Sequence, residues 1–181
     1  SPNAWENNNS SCPNTTVSYT DKMSNFQTSL PMVQGQPCKI AGQNIKNNQL
    51  FLQLPSSEFM QVDLERLLPL GIEKVDSTEF DFRKLKQISN LFIDHAFKAD
   101  ADLPSRVRLI NESKLGVELE FDESAKWIQV HTADREGKED TRMALAIEPM
   151  SCPPDAFNSG LDLITLAPNE RHSFSLKIKK I

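Results

Sequence analysis

Residue types that commonly build metal and cofactor sites are scarce in this chain. Its 181 residues include three cysteines, three histidines and six glycines. Cys12, Cys38 and Cys152 are too few and too widely spaced for a disulfide framework or a set of zinc ligands. No glycine-rich loop that would hold a phosphate stands out, and neither does a Ser-His-Asp spacing. We therefore expect no metal and no cofactor, and the cysteine usage indicates a reducing, cytoplasmic setting.

Basic charge and long apolar runs are also lacking. The 20 lysines and arginines are outnumbered by 25 aspartates and glutamates, which gives a net charge of -5. The basic residues form no stripe that would neutralise phosphates, so nucleic acid is not expected as the main partner. No apolar run approaches the length needed to cross a bilayer, and the start does not resemble a signal peptide. We expect no membrane partner.

Apolar and polar residues alternate in many short segments of the chain. Residues 1–15 are polar and are expected to be poorly ordered, and residues 16–181 form the predicted domain. A two-residue period predicts strands, as where Leu50, Leu52 and Leu54 of "QLFLQLP" share one face. The other such segments are "TTVSYT", "RVRLI", "GVELEF", "KWIQVHT", "MALAIEP" and "HSFSLKI". Only "VDLERLLPLG" favours a helical turn. Many short strands with turns between them predict an all-β antiparallel sandwich or barrel-like fold.

One predicted strand, "MALAIEP", carries a carboxylate on the side away from its apolar residues. Successive side chains of a strand point to opposite faces. Met143, Leu145 and Ile147 would therefore face the core, whereas Glu148 would share the other face with two alanines. Small residues beside a carboxylate leave room for a ligand. A glutamate at a strand end is nevertheless more often a solvated surface charge.

A second strand, "KWIQVHT", places Trp127, Gln129 and His131 on one face. An aromatic plane, an amide and an imidazole suit a sugar, which offers an apolar ring face and a rim of hydroxyls. Packing is the more common role for a tryptophan on a strand. In "DHAF", Asp94 and His95 would point to opposite faces and could not hold one metal ion together. The "DFR" segment at residues 81–83 is typical of a structural ion pair.

Several segments together resemble one family. "AIEPMSCPPDAFNSG" is similar to the C-terminal motif of the aldose 1-epimerase (galactose mutarotase) family, particularly its actinobacterial-type members, in which a strand delivers a catalytic glutamate. "LFLQLPSSEFMQVDLERLLPLGIEKV", "EFDFRK", "LFIDHAF" and "DLITLAPNERHSFSLKI" resemble further family segments in the same order. The resemblance covers roughly residues 15–181 and the last two thirds of the usual family domain.

The resemblance implies a galactose-mutarotase-like β-sandwich, or supersandwich, that is N-terminally truncated. It also implies a monosaccharide or sugar phosphate as the partner, and general acid/base catalysis without a cofactor. Glu148 would be the catalytic base that takes the proton of the anomeric hydroxyl, and Asp94 would bind sugar hydroxyls. The strand pleat adds Gln129 and His131 as substrate-binding residues near them.

One position departs from the family pattern. The family's acid histidine precedes a proline, and the matching stretch here is "FQTSLPMVQG", with Leu30 in the histidine position. His95, His131 and His172 are the histidines left to replace it. A missing N-terminal part would also expose strand edges through which the chain could associate with itself. Three hypotheses follow: an aldose 1-epimerase of low or no activity, a non-catalytic carbohydrate-binding module, and a decayed fragment of the family.

Overall fold

The computed structural model describes residues 15–21, 46–139 and 141–181. Its regular structure consists of eleven strands and two short helices. The helices are a 3-10 turn at Asn47–Gln49 and α1 at Ala156–Ser159. The strands are β1 (Thr15–Asp21), β2 (Phe51–Gln53), β3 (Glu58–Val62), β4 (Pro69–Lys74), β5 (Lys86–Gln87), β6 (Asp94–Lys98), β7 (Arg106–Ile110), β8 (Gly116–Phe121), β9 (Trp127–His131), β10 (Ala146–Met150) and β11 (His172–Lys180).

The strands form two antiparallel sheets. One has six strands in the order β1-β11-β8-β7-β2-β5, and the other has five in the order β10-β9-β6-β3-β4. Buried apolar residues from both sheets belong to a single cluster, with Leu52, Val107 and Leu119 from the first and Phe97, Ile128 and Val130 from the second. The sheets therefore pack face to face around one core, which confirms the predicted β-sandwich.

The two-residue period explains which side chains enter this core. Leu50, Leu52 and Leu54, predicted to share a face, are 8%, 0% and 1% exposed. On β9, Ile128 and Val130 are fully buried between the sheets. Burying one such side chain contributes about 1.5–3 kcal/mol before the cost of ordering it, so the alternating strands supply most of the stabilising energy.

Charged residues cover the outer face of the six-stranded sheet. Glu118 of β8 lies opposite Arg108 of β7 and Lys179 of β11 in the strand register. Its carboxylate is 3.5 Å from Arg108 Nε and 3.5 Å from Lys179 Nζ. Paired charges on neighbouring strands hold each other in a solvated layer. These ion pairs occupy part of the outer face of the six-stranded sheet.

Some sequence expectations change in detail. The predicted helical turn in "VDLERLLPLG" is a single turn closed by the Leu67 N–H donating to Asp63 O at 2.7 Å, after which the chain continues as β4. Because no described strand pairs with the outer edge of β4, Pro69 can begin this strand without breaking a ladder. The strand in "MALAIEP" begins only at Ala146. Leu30, Cys12 and Cys38 lie outside the described residues. Within the described ranges, no helix is long and apolar enough to cross a membrane.

Candidate functional site

Three neighbouring strands of the five-stranded sheet bring the predicted site residues onto one surface. Asp94 opens β6, His131 closes β9, and the two are directly paired across the sheet. One step along the same face, Gln129 of β9 pairs with Glu148 of β10. Side chains two residues apart on a strand share a face. Asp94, Gln129, His131 and Glu148 therefore lie together on the outer face.

Asp94 connects two of these side chains. Its Oδ1 accepts a hydrogen bond from Gln129 Nε2 at 2.7 Å, and its Oδ2 lies 3.4 Å from Nδ1 of His131. Gln129 Oε1 is buried and accepts no hydrogen bond from a described residue. Asp94 thus holds the amide by a hydrogen bond and lies beside the imidazole without hydrogen-bonding to it, and the amide keeps an acceptor free for a ligand hydroxyl.

Glu148 is a buried residue, 5% exposed, on β10 at one end of the five-stranded sheet. No described residue donates a hydrogen bond to its carboxylate, and its strand pairs with β9. Burial raises the pKa of Glu148, the nearby charge of Asp94 raises it further, and His131 acts in the opposite direction. A carboxylate that holds its proton more readily than usual, with its oxygens free, is suited to exchange protons with a ligand.

The Asp94 and His131 side chains each shift the pKa of the other in the direction that favours its charged form. The interaction with His131 holds the pKa of Asp94 below its usual range against the effect of burial. Asp94 in turn raises the pKa of His131, and Asp134 and Glu148 add to that rise. The side chain of His131 is 41% exposed, so its ring stays accessible from solvent. The site therefore combines an ionised aspartate, a readily protonated histidine and a glutamate of raised pKa.

Trp127 shares this face but does not offer an open ring to a sugar, so of the two roles considered for it, packing is the one observed. Its side chain is 0% exposed and packs with Met60 and Met150 under Leu161. The indole N–H donates to Asp162 Oδ2 at 2.9 Å. The loop after α1 therefore covers the tryptophan, and no residue within "KWIQVHT" signalled that cover.

His95 points to the other side of the sheet from Asp94, into the core. Its ring centroid is 4.5 Å from that of Phe80 and 5.8 Å from that of Phe59. Burial lowers the pKa of His95, which keeps the ring neutral. His95 therefore cannot reach a ligand on the outer face. Arg83 pairs with Asp81 at 2.7 Å and acts as the structural ion pair that "DFR" predicted. In the described ranges, no three His, Cys, Asp or Glu residues are grouped as metal ligands.

A buried asparagine that is not part of the candidate site connects two of the strands that carry the site residues. Asn47 is 1% exposed, and its Nδ2 donates to Thr132 O and to Ala144 O, each at 2.6 Å. These carbonyls lie near the two ends of the connection between β9 and β10, described at residues 132–139 and 141–145 and hereafter called the β9–β10 loop. Asn47 therefore holds together the two strands that carry His131 and Glu148.

Arg142 anchors the same loop to the chain before β6. Its guanidinium donates to Asp134 Oδ1 at 2.7 Å, to Ser89 O at 3.0 Å and to Leu91 O at 3.2 Å. The residue is 8% exposed and has a φ of 59°. The sequence reads here as a charged turn, "DREGKEDTR", and nothing local indicates that one of its arginines is buried.

The two-sheet architecture is that of the galactose-mutarotase-like sandwiches, and solved structures share it. The GalM/aldose epimerase homologue from C. elegans superposes with a TM-score of 0.65 at 24% identity, over 80% of this chain and 49% of that one. A putative aldose 1-epimerase from Escherichia coli K12 gives a TM-score of 0.66 at 18% identity, over 92% of this chain and 55% of that one. Both likenesses concern the fold.

Sequence comparison gives the family. The family model described as aldose 1-epimerase matches residues 39–179. The uncharacterized protein YihR of Escherichia coli K12 is 36% identical over 131 residues, which are 72% of this chain and 40% of that protein. The chain belongs to the aldose 1-epimerase family. It spans well under two thirds of the length of these relatives. The actinobacterial-type subgroup stays a prediction.

Proposed function

We propose that the outer face of the five-stranded sheet binds a monosaccharide and interconverts its α and β anomers, with Glu148 as the general base. The observation that carries this proposal is the convergence of Asp94, Gln129, His131 and Glu148 on one face. Membership of the aldose 1-epimerase family supports it. Aldoses of the galactose and glucose class are the first substrates to test.

Hydroxyl recognition would come from Asp94 and Gln129. The Asp94 carboxylate forms charge-assisted hydrogen bonds with sugar hydroxyls, and Gln129 Oε1 accepts one more because no described residue occupies it. Asp94 and Glu148 both bring negative charge to this face, which repels a phosphate group. We therefore favour a neutral monosaccharide over a sugar phosphate.

The chemistry is a proton exchange at the anomeric centre. Glu148 takes the proton of the anomeric hydroxyl, the bond between the anomeric carbon and the ring oxygen breaks, and the ring oxygen gains a proton. Rotation about the C1–C2 bond and the reverse steps give the other anomer. No electrons are transferred to an outside group, so the cycle needs no redox partner. The free, buried carboxylate of Glu148 fits the base role because its protonation lies closer to neutral pH than that of a solvated glutamate.

The test is the rate of anomer exchange, followed by polarimetry with galactose and glucose. The purified chain should exceed the buffer rate, and Glu148→Gln should lower the excess at least about 100-fold, the range of one general acid or base. Glu120→Gln is the matched control, because Glu120 lies on the outer face of the other sheet. Equal rates for wild type and buffer would refute the catalytic proposal. Sugar binding by such an inactive chain would favour the carbohydrate-binding module.

Two further expectations remain predictions. One is the cytoplasmic setting, which rests on the cysteines alone. The other is self-association through strand edges, to which the outer edge of β4, paired by no described strand, is relevant.

A further inference from the structure

The proposed chemistry has a base, Glu148, but no residue yet assigned as the acid. Ring opening needs an acid at the ring oxygen as well as a base at the anomeric hydroxyl. Leu30, in the acid-histidine position of the resemblance, cannot donate a proton. Of the other two histidines, His95 is buried in the core and His172 begins β11, in the six-stranded sheet.

The ring of His131 presents Nδ1 to the Asp94 carboxylate and leaves Nε2 on the other side. Nδ1 faces Asp94 Oδ2 at 3.4 Å, and Asp94 is itself held by Gln129. No described residue hydrogen-bonds to the second ring nitrogen, Nε2. An imidazole whose Nδ1 is directed at a carboxylate exchanges protons through Nε2. The geometry therefore leaves one nitrogen of His131 free for a ligand.

The spacing between His131 and Glu148 suits one sugar ring. His131 is directly opposite Ala146, and Glu148 is two residues further along β10, which makes His131 and Glu148 diagonal neighbours. Diagonal neighbours on one face of an antiparallel pair are about 7–8 Å apart. The anomeric hydroxyl and the ring oxygen are attached to the same carbon, and each needs a partner at about 3 Å. An acid and a base at this separation can contact both oxygens together.

We propose that His131 is the acid of this site, giving a proton from Nε2 to the ring oxygen while Glu148 takes the proton of the anomeric hydroxyl. This inference rests on the proposed function. Ring opening leaves His131 neutral and Glu148 protonated. Ring closure returns both protons: Glu148 protonates the carbonyl oxygen, and His131 takes the proton of the ring hydroxyl. Each turnover therefore restores the starting state.

The charges around His131 favour its protonated form. Asp94 on β6, Asp134 on the β9–β10 loop and Glu148 on β10 all raise the pKa of His131. Turnover requires ionised Glu148 and protonated His131. The value of kcat should therefore rise with pH as Glu148 ionises and fall again as His131 loses its proton.

The deciding experiment compares His131→Gln with wild type, using the same polarimetric assay across pH. Glutamine keeps a donor for Asp94 but cannot deliver a proton. We expect kcat to fall about 10²–10⁴-fold and the alkaline limb of the pH profile to disappear. His172→Gln is the matched control and should behave as wild type. The inference is overturned if His131→Gln keeps the alkaline limb, including the case in which only KM changes.

Failure of the inference and failure of the proposed function give different results. A wild-type rate equal to buffer removes the function, and the acid role with it. Activity that is lost in Glu148→Gln but kept in His131→Gln removes only the acid role. If His131→Gln does not fold, His131→Asn takes its place in the same assay. Asparagine likewise cannot deliver a proton, so an alkaline limb that persists in His131→Asn would contradict the inference.

Discussion

Arg142 offers the sharpest test of how the β9–β10 loop is held. Arg142→Ala removes an ion pair with Asp134 and two hydrogen bonds to the carbonyls of Ser89 and Leu91. Breaking a buried ion pair costs about 3–5 kcal/mol. The carboxylate of Asp134 is 31% exposed and regains some hydration, so the expected loss is near the lower limit, about 3 kcal/mol in the free energy of unfolding.

Urea unfolding at neutral pH measures this loss, and the fluorescence of the fully buried Trp127 reports it. Arg106→Ala is the control, because Arg106 is 49% exposed and lies 3.9 Å from Glu118, which keeps other partners. An exposed pair of this kind contributes about 0–1 kcal/mol. Arg142→Gly should be no less stable than Arg142→Ala, since glycine adopts a φ of 59° without strain. Equal losses for Arg142→Ala and Arg106→Ala would refute the anchoring role.

Two other substitutions test the burial of residues on the outer face of the five-stranded sheet. Trp127→Phe removes the indole N–H that donates to Asp162 and should lower the free energy of unfolding by about 1–3 kcal/mol; an unchanged urea midpoint would contradict this. Burial raises the pKa of Glu148, so the stability linked to its protonated form is present at acidic pH and lost as pH rises through the folded-state pKa. Glu148→Gln should therefore unfold at higher urea than wild type at about pH 8 and match it at about pH 4; the reverse order would contradict the pKa shift.

Strand periodicity carried most of the fold prediction because each strand has one face in the core. The segments "RVRLI" and "GVELEF" correspond to β7 and β8, and the outer-face position of Glu148 followed from the pleat alone. The pairing register between strands could not be predicted in this way, because it depends on residues that are distant in sequence. That Asp94 pairs with His131 could not be read from either strand separately.

The environments of two buried residues, Trp127 and Arg142, depend on loops. Trp127 has the alternation of a face-exposed residue, but Leu161 and Asp162 cover it from 34 and 35 positions further along the chain. Arg142 stands in a charged turn and is buried by contacts with segments far from it in sequence. Local patterns describe what a residue prefers, whereas these two environments are set by tertiary contacts.

Core residues and outer-face residues alternate along β6 and β9, so the two faces of these strands can change separately. Phe97 and Ile128 belong to the core cluster, while Asp94, Gln129 and His131 occupy the alternate positions on the outer face. Substitutions at the outer positions leave the packing between the sheets untouched, and repacking of the core leaves the outer positions in place. The outer face can therefore change by substitutions at every second residue, while the packing between the sheets stays in place.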